Sequence, residues 1–265
     1  MHAFEYHRAE SAKEATSLAA KKKEGRYLAG GQSLVQAMKL RLSSPTDLID
    51  LGTLKELSFV KASGSAVEIG AMTRHADVAA SKDVQKAIPA LAALAGMIGD
   101  RQVRHMGTIG GSLANSDPAA DYPAAALGLG ATITTNKRKI EADKFFTALY
   151  ETALEPGELI TAVSFPVPKR AAYMKFKNPA SRFAMVGVFV ADFGGKVRVA
   201  VTGAGPCVFR QAEMEKALSA KFAPESAAGI KVKADGLNND LHASPEYRAH
   251  LITVMAKRAV EAALK

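Results

Sequence analysis

The sequence is poor in residues that build disulfides and metal clusters. Its 265 residues contain one cysteine, Cys207, and no tryptophan. A single cysteine cannot form an internal disulfide, and it excludes an iron–sulfur cluster held by several cysteines of this chain. This shortage is typical of a reducing compartment, so we expect a cytoplasmic protein. The six histidines lack metal-ligand spacing, so we expect no metal site in this chain.

Long apolar runs are also missing. No segment reaches the roughly 18 consecutive apolar residues that a membrane-spanning helix needs. The first residues, Met1 to Tyr6, have neither the basic head nor the apolar stretch of a secretory signal. The sequence therefore predicts a protein that is neither exported nor an integral membrane protein.

Basic residues outnumber acidic ones, 35 to 26, which gives a net charge of +9. Such an excess can favour nucleic acids, but the basic residues are scattered and lack the basic and aromatic pattern of a nucleic-acid module. We therefore expect no nucleic-acid partner. A diphosphate cofactor or an acidic partner subunit explains the net positive charge better.

Hydrophobic patterning predicts an α+β chain without a long linker. The first region, residues 1–54, begins with a helix capped by Ser11 and contains a strand–turn–helix–strand unit whose helix is expected to end at Pro45. The second region, residues 55–170, has short strands and a helix from Val84 to Met97, with Pro89 inside it.

The third region, residues 171–265, is predicted to contain a β-hairpin followed by two helices. The hairpin covers residues 186–202, with a glycine turn at its centre. One helix covers residues 210–219, and the other begins at Ser244, which precedes a proline in the first turn. Between them, residues 224–239 are polar and are expected to form a loop.

Two glycine-containing segments carry the chemical signal. The first, Ala-Gly-Gly-Gln-Ser at residues 29–33, follows a predicted strand and precedes a predicted helix. Adjacent glycines allow the backbone to approach a ligand closely and to point successive N–H groups at an anion. Such a pair also occurs in ordinary turns, so this segment alone is ambiguous.

The second segment, residues 107–123, combines glycines, hydroxyl and amide side chains, two carboxylates and two prolines, and it contains no Lys or Arg. This composition is typical of a backbone cradle that closes on a sugar phosphate rather than of a solvated surface loop. We therefore expect it to form an irregular turn whose amides bind a phosphate group.

Taken together, the two segments resemble the flavin-binding medium subunits of molybdenum hydroxylases. The resemblance lies in Ala-Gly-Gly-Gln-Ser-Leu near residue 30 and Thr-Ile-Gly-Gly-Ser-Leu-Ala-Asn-x-Asp-Pro-Ala-Ala-Asp near residue 110. Landmarks such as Ile69-Gly70-Ala71-Met72-Thr73 and Ser244-Pro245-Glu246-Tyr247-Arg248 extend it over essentially the whole chain. It implies a FAD-binding fold of the vanillyl-alcohol-oxidase (PCMH) type, with two subdomains at residues 1–54 and 55–170. A C-terminal domain at residues 171–265 would carry a small antiparallel sheet with helices.

The resemblance also implies a set of FAD contacts. The backbone of residues 29–33 and the turn of residues 108–112 would hold the diphosphate, and Asn115 and Asp121 would bind the ribityl or ribose region. Ile98 and Ile160 would pack on the cofactor, Lys177 would approach the flavin, and Thr73 is a further candidate. The residues expected to contact the cofactor are Ala29, Gly30, Gly31, Gln32, Ser33, Thr73, Ile98, Thr108, Gly110, Gly111, Ser112, Asn115, Asp121, Ile160 and Lys177.

The implied function is an electron relay. FAD accepts electrons singly and releases them in pairs, so no catalytic acid or base is needed in this chain, and we expect none. Molybdopterin and 2Fe-2S clusters would lie on partners, an iron–sulfur small subunit and a molybdenum large subunit, in a dimer of heterotrimers. Two alternatives remain open: a self-contained FAD-dependent oxidase or reductase of the same fold, and an interaction subunit without cofactor.

Overall fold

The computed structural model describes all residues, 1–265. Its helices are α1 (Ala12–Lys21), α2 (Leu34–Lys39), α3 (His75–Ala80), α4 (Lys82–Ala87), α5 (Pro89–Gly96), α6 (Arg101–Met106), α7 (Ile109–Asn115), α8 (Tyr122–Leu129), α9 (Ala212–Ala220), α10 (Pro224–Ala228) and α11 (Pro245–Ala263). Its strands are β1 (Glu5–Arg8), β2 (Arg26–Leu28), β3 (Asp47–Asp50), β4 (Val60–Ala62), β5 (Ala66–Gly70), β6 (Thr132–Thr135), β7 (Lys139–Glu141), β8 (Phe146–Ala148), β9 (Glu151–Thr152), β10 (Ile160–Pro166), β11 (Arg170–Lys177), β12 (Ala184–Asp192), β13 (Val197–Thr202) and β14 (Phe209–Arg210). The mixture of helices and sheets confirms the α+β class.

The N-terminal sheet is parallel, with strand order β1-β3-β2. Ser11 caps α1, since its hydroxyl accepts a hydrogen bond from the Glu14 N–H at 3.1 Å. Helix α2 connects β2 to β3, as the strand–turn–helix–strand prediction requires. The helix ends at Lys39, however, six residues before Pro45. Ile49 and Leu51 of the central strand region are buried in a small core of seven residues.

The middle sheet is antiparallel, with strand order β4-β5-β10-β6-β7. Helices α3 to α8 all lie in the connection between β5 and β6, and they cover this sheet with a buried core of 32 residues. Pro89 does not kink one long helix. It is the first residue of α5, where its missing N–H costs no hydrogen bond, so the predicted Val84–Met97 helix is two helices.

The C-terminal sheet is antiparallel, with strand order β11-β12-β13-β14, and its central hairpin confirms the prediction for residues 186–202. Ser244 is the N-cap of helix α11 as expected, and the helix packs on β11 and β12. The predicted loop at residues 224–239 was partly wrong, because Pro224 starts the short helix α10. The buried side chain of Ala227 packs that turn into the core.

The regions are joined by buried contacts. The Arg198 side chain from β13 donates hydrogen bonds to the Leu127 carbonyl at the end of α8, at 3.0 and 2.7 Å. Tyr27 in the N-terminal sheet donates to the Gly157 carbonyl at 2.8 Å. These contacts join the C-terminal sheet to α8 and the N-terminal sheet to the segment before β10. No helix is both long and apolar enough to cross a bilayer.

Candidate functional site

The two glycine segments meet in space. A Cβ atom added to Gly30 would lie 2.0 Å from the Met106 carbonyl oxygen and 2.7 Å from the Gly107 Cα. A Cβ added to Gly111 would lie 3.5 Å from the Ala29 Cβ. No other residue fits at position 30 without moving a backbone, because the peptide at Met106 occupies the space of a side chain.

The first segment carries a row of free backbone donors. The N–H groups of residues 30–33 have no hydrogen-bond acceptor within the chain. Gly31 has a φ of +71°, a conformation that glycine adopts at little cost, and this residue reverses the chain between β2 and α2. The side chains of Gln32 and Ser33 also have no partner within the chain. Successive free N–H groups in a half-exposed turn are the donor set that binds a phosphate group.

The second segment is not the irregular turn expected from its composition. Thr108 is the N-cap of α7, and its hydroxyl accepts a hydrogen bond from the Gly111 N–H at 3.2 Å. The Gly110 N–H donates to the Ala71 carbonyl at 2.8 Å, and the Ile109 N–H donates to Thr73 at 3.1 Å. The prediction that these amides would face an anion therefore does not match their hydrogen bonds.

The glycines of α7 have a different structural role. A Cβ at Gly110 would lie 2.6 Å from the Ala71 Cβ, so this glycine lets the helix rest directly on the end of β5. Of the residues from 108 to 112, only Thr108 keeps an N–H without an acceptor in the chain. Helix α7 therefore packs on Ala71 and on Ala29 of the first segment, but it does not offer a second row of free N–H groups.

Two polar side chains of α7 remain free. Ser112 and Asn115 are half-buried, and neither side chain has a hydrogen-bond partner within the chain. They lie three residues apart, and side chains with this spacing share one face of a helix. They are suited to bind polar groups of a ligand that lies along α7.

The side chain of Asp121 is more deeply buried than contact with a ligand requires. Its oxygens accept hydrogen bonds from the Tyr173 hydroxyl at 2.5 Å and from the Lys175 ammonium at 2.9 Å. Burial raises the pKa of Asp121, while the charge of Lys175 and the two hydrogen bonds oppose that rise. Sequence reasoning missed Lys175 and Tyr173, which come from β11, more than 50 residues away along the chain.

The loop that contains Ile98 is held by basic side chains. Arg104 donates to the carbonyls of Ile98 and Gly99, both at 3.0 Å. Lys175 donates to the Met97 carbonyl at 3.3 Å, so this loop adjoins the pair that Lys175 forms with Asp121. The structure thus brings the half-buried Ile98 close to Asp121.

Three other residues predicted to contact FAD have positions that do not by themselves indicate a ligand. Thr73 is buried, and its hydroxyl both donates to the Phe59 carbonyl at 3.0 Å and accepts from the Phe59 N–H at 3.1 Å. Ile160 is buried at the start of β10. Lys177 is exposed at the end of β11, beyond a bulge in its pairing with β12. Their contacts with a cofactor remain predictions.

Other titratable groups, namely His75, Cys207 and the cluster of Glu5, His7 and Asp47, are poorly suited to act as reactive or metal-binding centres. Burial lowers the pKa of His75 to about 4, and the nearby charge of Arg104 adds to this effect. Burial raises the pKa of the Cys207 thiol, which makes it a poorer nucleophile. Glu5, His7 and Asp47 cluster on β1 and β3, but the Lys22 ammonium lies 3.2 Å from Glu5 and 3.0 Å from Asp47.

Comparisons with known proteins identify the family of this chain. Residues 2–168 match the family described as the FAD binding domain in molybdopterin dehydrogenase. The chain belongs to this family, which confirms the resemblance inferred from the two glycine segments.

Relatives of known function are similar over their whole length. The chain is 35% identical to the glyceraldehyde dehydrogenase medium chain of Sulfolobus acidocaldarius, covering 97% of this chain and 96% of that one. It is 34% identical to the carbon monoxide dehydrogenase medium chain of Hydrogenophaga pseudoflava, covering 98% and 96%. These relatives are dehydrogenase subunits.

Solved structures show the same fold. A chain of the Cu,Mo-CO dehydrogenase in its cyanide-inactivated form superposes with a TM-score of 0.87 at 34% identity, covering 99% of this chain and 98% of that one. A chain of quinoline 2-oxidoreductase from Pseudomonas putida superposes with a TM-score of 0.90 at 28% identity, covering 99% and 97%.

Proposed function

We propose that this chain binds FAD and acts as the electron-transfer subunit of a molybdenum hydroxylase complex. It would pass electrons from iron–sulfur clusters to an external acceptor. The observation that carries the proposal is the meeting of Gly30 with the Met106–Gly107 peptide beside the free N–H groups of residues 30–33. This arrangement fits a diphosphate, which needs several donors close together, because the packing of Gly30 on the Met106–Gly107 peptide holds the free N–H groups in one turn.

The other residues fit the rest of the cofactor. Ser112 and Asn115 offer unpaired polar groups to the ribityl or ribose region, and Ile98 offers apolar surface. Asp121 would act near the same region, with its carboxylate oriented by Tyr173 and Lys175. The remaining proposed contacts are Thr73, Thr108, Gly110, Gly111, Ile160 and Lys177.

FAD, when bound, supplies a ring that takes up electrons one at a time and releases them in pairs. The chain's own residues would fix the position of that ring and set its electrostatic surroundings. Such a role needs no general base. Burial lowers the pKa of His75 to about 4 and raises the pKa of the half-buried Cys207 thiol, so neither group is tuned to act as one.

We further propose that the fold is of the PCMH type, with FAD held between subdomains at residues 1–54 and 55–170. The C-terminal domain would cover residues 171–265. The separate sheets support this division, since β3 ends at Asp50, β4 begins at Val60, and β11 begins at Arg170.

The proposed partners are an iron–sulfur small subunit and a molybdenum large subunit, assembled as a dimer of heterotrimers in the cytoplasm. The relatives named as medium chains support such an assembly. The single cysteine supports it as well, because the iron–sulfur ligands have to come from another chain.

The test is FAD titration of the purified chain after removal of any bound flavin, followed by flavin fluorescence. Gly30→Ala is compared with Gly64→Ala, because a Cβ at Gly64 meets nothing within 4 Å. We expect stoichiometric FAD uptake by the wild type and by Gly64→Ala, and loss of uptake by Gly30→Ala. Wild-type protein that binds no FAD, or Gly30→Ala protein that binds it normally, contradicts the proposal.

A further inference from the structure

A second concave site lies outside the proposed flavin cradle. It is a cavity of about 240 Å³ lined by residues from the 117–119, 178–185 and 238–248 segments, together with Tyr150 and Gly203. The lining therefore combines the segment after α7, the β11–β12 connection, the loop before α11 and the β8–β9 turn. None of the proposed FAD contacts lines it.

Large apolar side chains surround this cavity and face solvent. Tyr150 and Phe183 line it and are 58% and 48% exposed. Leu149 precedes Tyr150, and Leu241 lies between two lining residues, and they are 55% and 91% exposed. A concentration of exposed apolar side chains around a polar concavity is typical of a protein–protein interface.

The backbone at this rim is held in an uncommon conformation. Tyr150 has a φ of +55°, and Arg182, which precedes Phe183, has a φ of +62°. Non-glycine residues adopt this region at a cost, and such residues concentrate at functional sites. Tyr150 itself and the residue before Phe183 thus have left-handed backbone conformations, which the surrounding structure has to stabilise.

The cavity has one carboxylate without a cation. Asp240 is paired with Arg248 at 2.7 Å. Asp117 accepts hydrogen bonds only from the Ala119 N–H at 2.8 Å and the Tyr150 hydroxyl at 3.3 Å. A positively charged side chain is therefore the complement of this cavity, with Asp117 as its counter-ion and the rings of Tyr150 and Phe183 beside it.

We propose that this surface docks the iron–sulfur subunit, through a loop that inserts one Lys or Arg side chain against Asp117 and covers the apolar rim. This inference rests on the proposed function. The cavity is lined by Asp117, two residues beyond Asn115 of the proposed FAD site. Two residues span at most about 7 Å, so a subunit seated here is next to the residues proposed to bind the ribityl or ribose part of FAD.

Other occupants fit less well. A small organic cation could fill the cavity but would leave Leu241 and Leu149 exposed. A second copy of this chain, paired symmetrically through the same surface, would bring two Asp117 carboxylates towards each other without a cation. A heterologous protein loop covers the apolar side chains and neutralises the carboxylate at the same time.

The experiment measures binding of the full-length, FAD-loaded chain to the purified iron–sulfur subunit and, separately, to the molybdenum subunit of its own complex, and it measures the self-association of the chain. The variants are the double substitution Phe183→Ser with Leu241→Ser, and Asp117→Asn. Leu264→Ser is the matched control, since Leu264 is 48% exposed at the far end of α11. Melting temperature and FAD content per chain are measured for every variant to exclude misfolding.

We expect the double variant to weaken binding at least about tenfold, as interface hot spots do. Asp117→Asn weakens it several-fold and reduces its dependence on salt concentration. The control changes it by less than about twofold, and FAD content stays constant throughout, within ordinary experimental scatter.

Unchanged binding of the iron–sulfur subunit by both cavity variants overturns the proposal. So does weakening confined to the molybdenum subunit, or loss of a dimer of this chain with normal binding of the iron–sulfur subunit. Wild-type protein without FAD contradicts the proposed function instead, so the two failures are distinguishable.

Discussion

The Lys175 ammonium lies 2.9 Å from an Asp121 carboxylate oxygen, and both side chains are at most 4% exposed. Asp121 precedes α8 in the middle region, whereas Lys175 belongs to β11 of the C-terminal sheet. This buried pair therefore ties the two regions together beside the loop that contains Ile98. It also places a fixed pair of charges next to the proposed flavin site.

Removing one member of this pair will be costly, because the other charge is left buried without a partner. We expect Asp121→Asn or Lys175→Met alone to lower the free energy of unfolding by about 3 to 5 kcal/mol. The double variant should lose much less than the sum of the two single variants. Urea unfolding of the four proteins measures this coupling, and additive losses would show that the pair does not interact as the structure indicates.

His75 makes the stability depend on pH in a defined window. Its pKa is lowered from 6.5 to about 4 in the folded chain, so below pH 6.5 the unfolded chain takes up the proton first. The stabilising effect of His75 is complete above pH 6.5 and is lost as the pH falls towards 4. The loss is about 3 kcal/mol.

The measurement is urea unfolding of the wild type and of His75→Gln between pH 4 and pH 7. We expect the stability of the variant to fall less steeply over this window, since glutamine does not titrate. Parallel curves for the two proteins would mean that His75 is not the buried neutral group described above.

A variant of Thr73 distinguishes a structural role of this residue from direct contact with the cofactor. Its hydroxyl makes two hydrogen bonds to the backbone of Phe59, so Thr73→Val leaves the half-buried Phe59 N–H without a partner, while the Phe59 carbonyl still accepts from the Gly70 N–H. We expect a loss of about 1 to 3 kcal/mol in stability with little change in FAD affinity. A large drop in FAD affinity without loss of stability would instead support direct contact with the cofactor.

Ser112 and Asn115 should affect FAD affinity and leave stability nearly unchanged, because neither side chain has a partner in the chain. We expect Ser112→Ala and Asn115→Ala each to weaken FAD binding by about 2- to 10-fold, the value of one hydrogen bond. Asn239→Ala is the control, because Asn239 is exposed and distant in sequence from the site. If all three variants bind FAD with the affinity of the wild type, neither Ser112 nor Asn115 contacts the cofactor.

Much of the fold follows from local signals. The capping residues Ser11 and Ser244 mark the starts of α1 and α11, and the apolar runs on either side of a glycine turn predict the hairpin of β12 and β13. These features are determined by neighbours in sequence, which is why pattern alone identifies them.

The internal arrangement of the site was less predictable. Residues 109–115 look like a turn because of their glycines, yet Thr108 caps them into a helix, and Gly110 lets that helix lie against Ala71. The partners of Asp121 are more than 50 residues away and leave no periodic signal. Tertiary packing, rather than local propensity, decides both features.

The most direct measurement of the central claim is amide hydrogen exchange at residues 30–33, with and without saturating FAD. These N–H groups have no acceptor within the chain, so they should exchange rapidly in the flavin-free protein. We predict that FAD slows their exchange strongly, whereas riboflavin, which lacks the diphosphate, does not. Rapid exchange of all four amides in protein saturated with FAD would contradict the assignment of this segment as the diphosphate cradle.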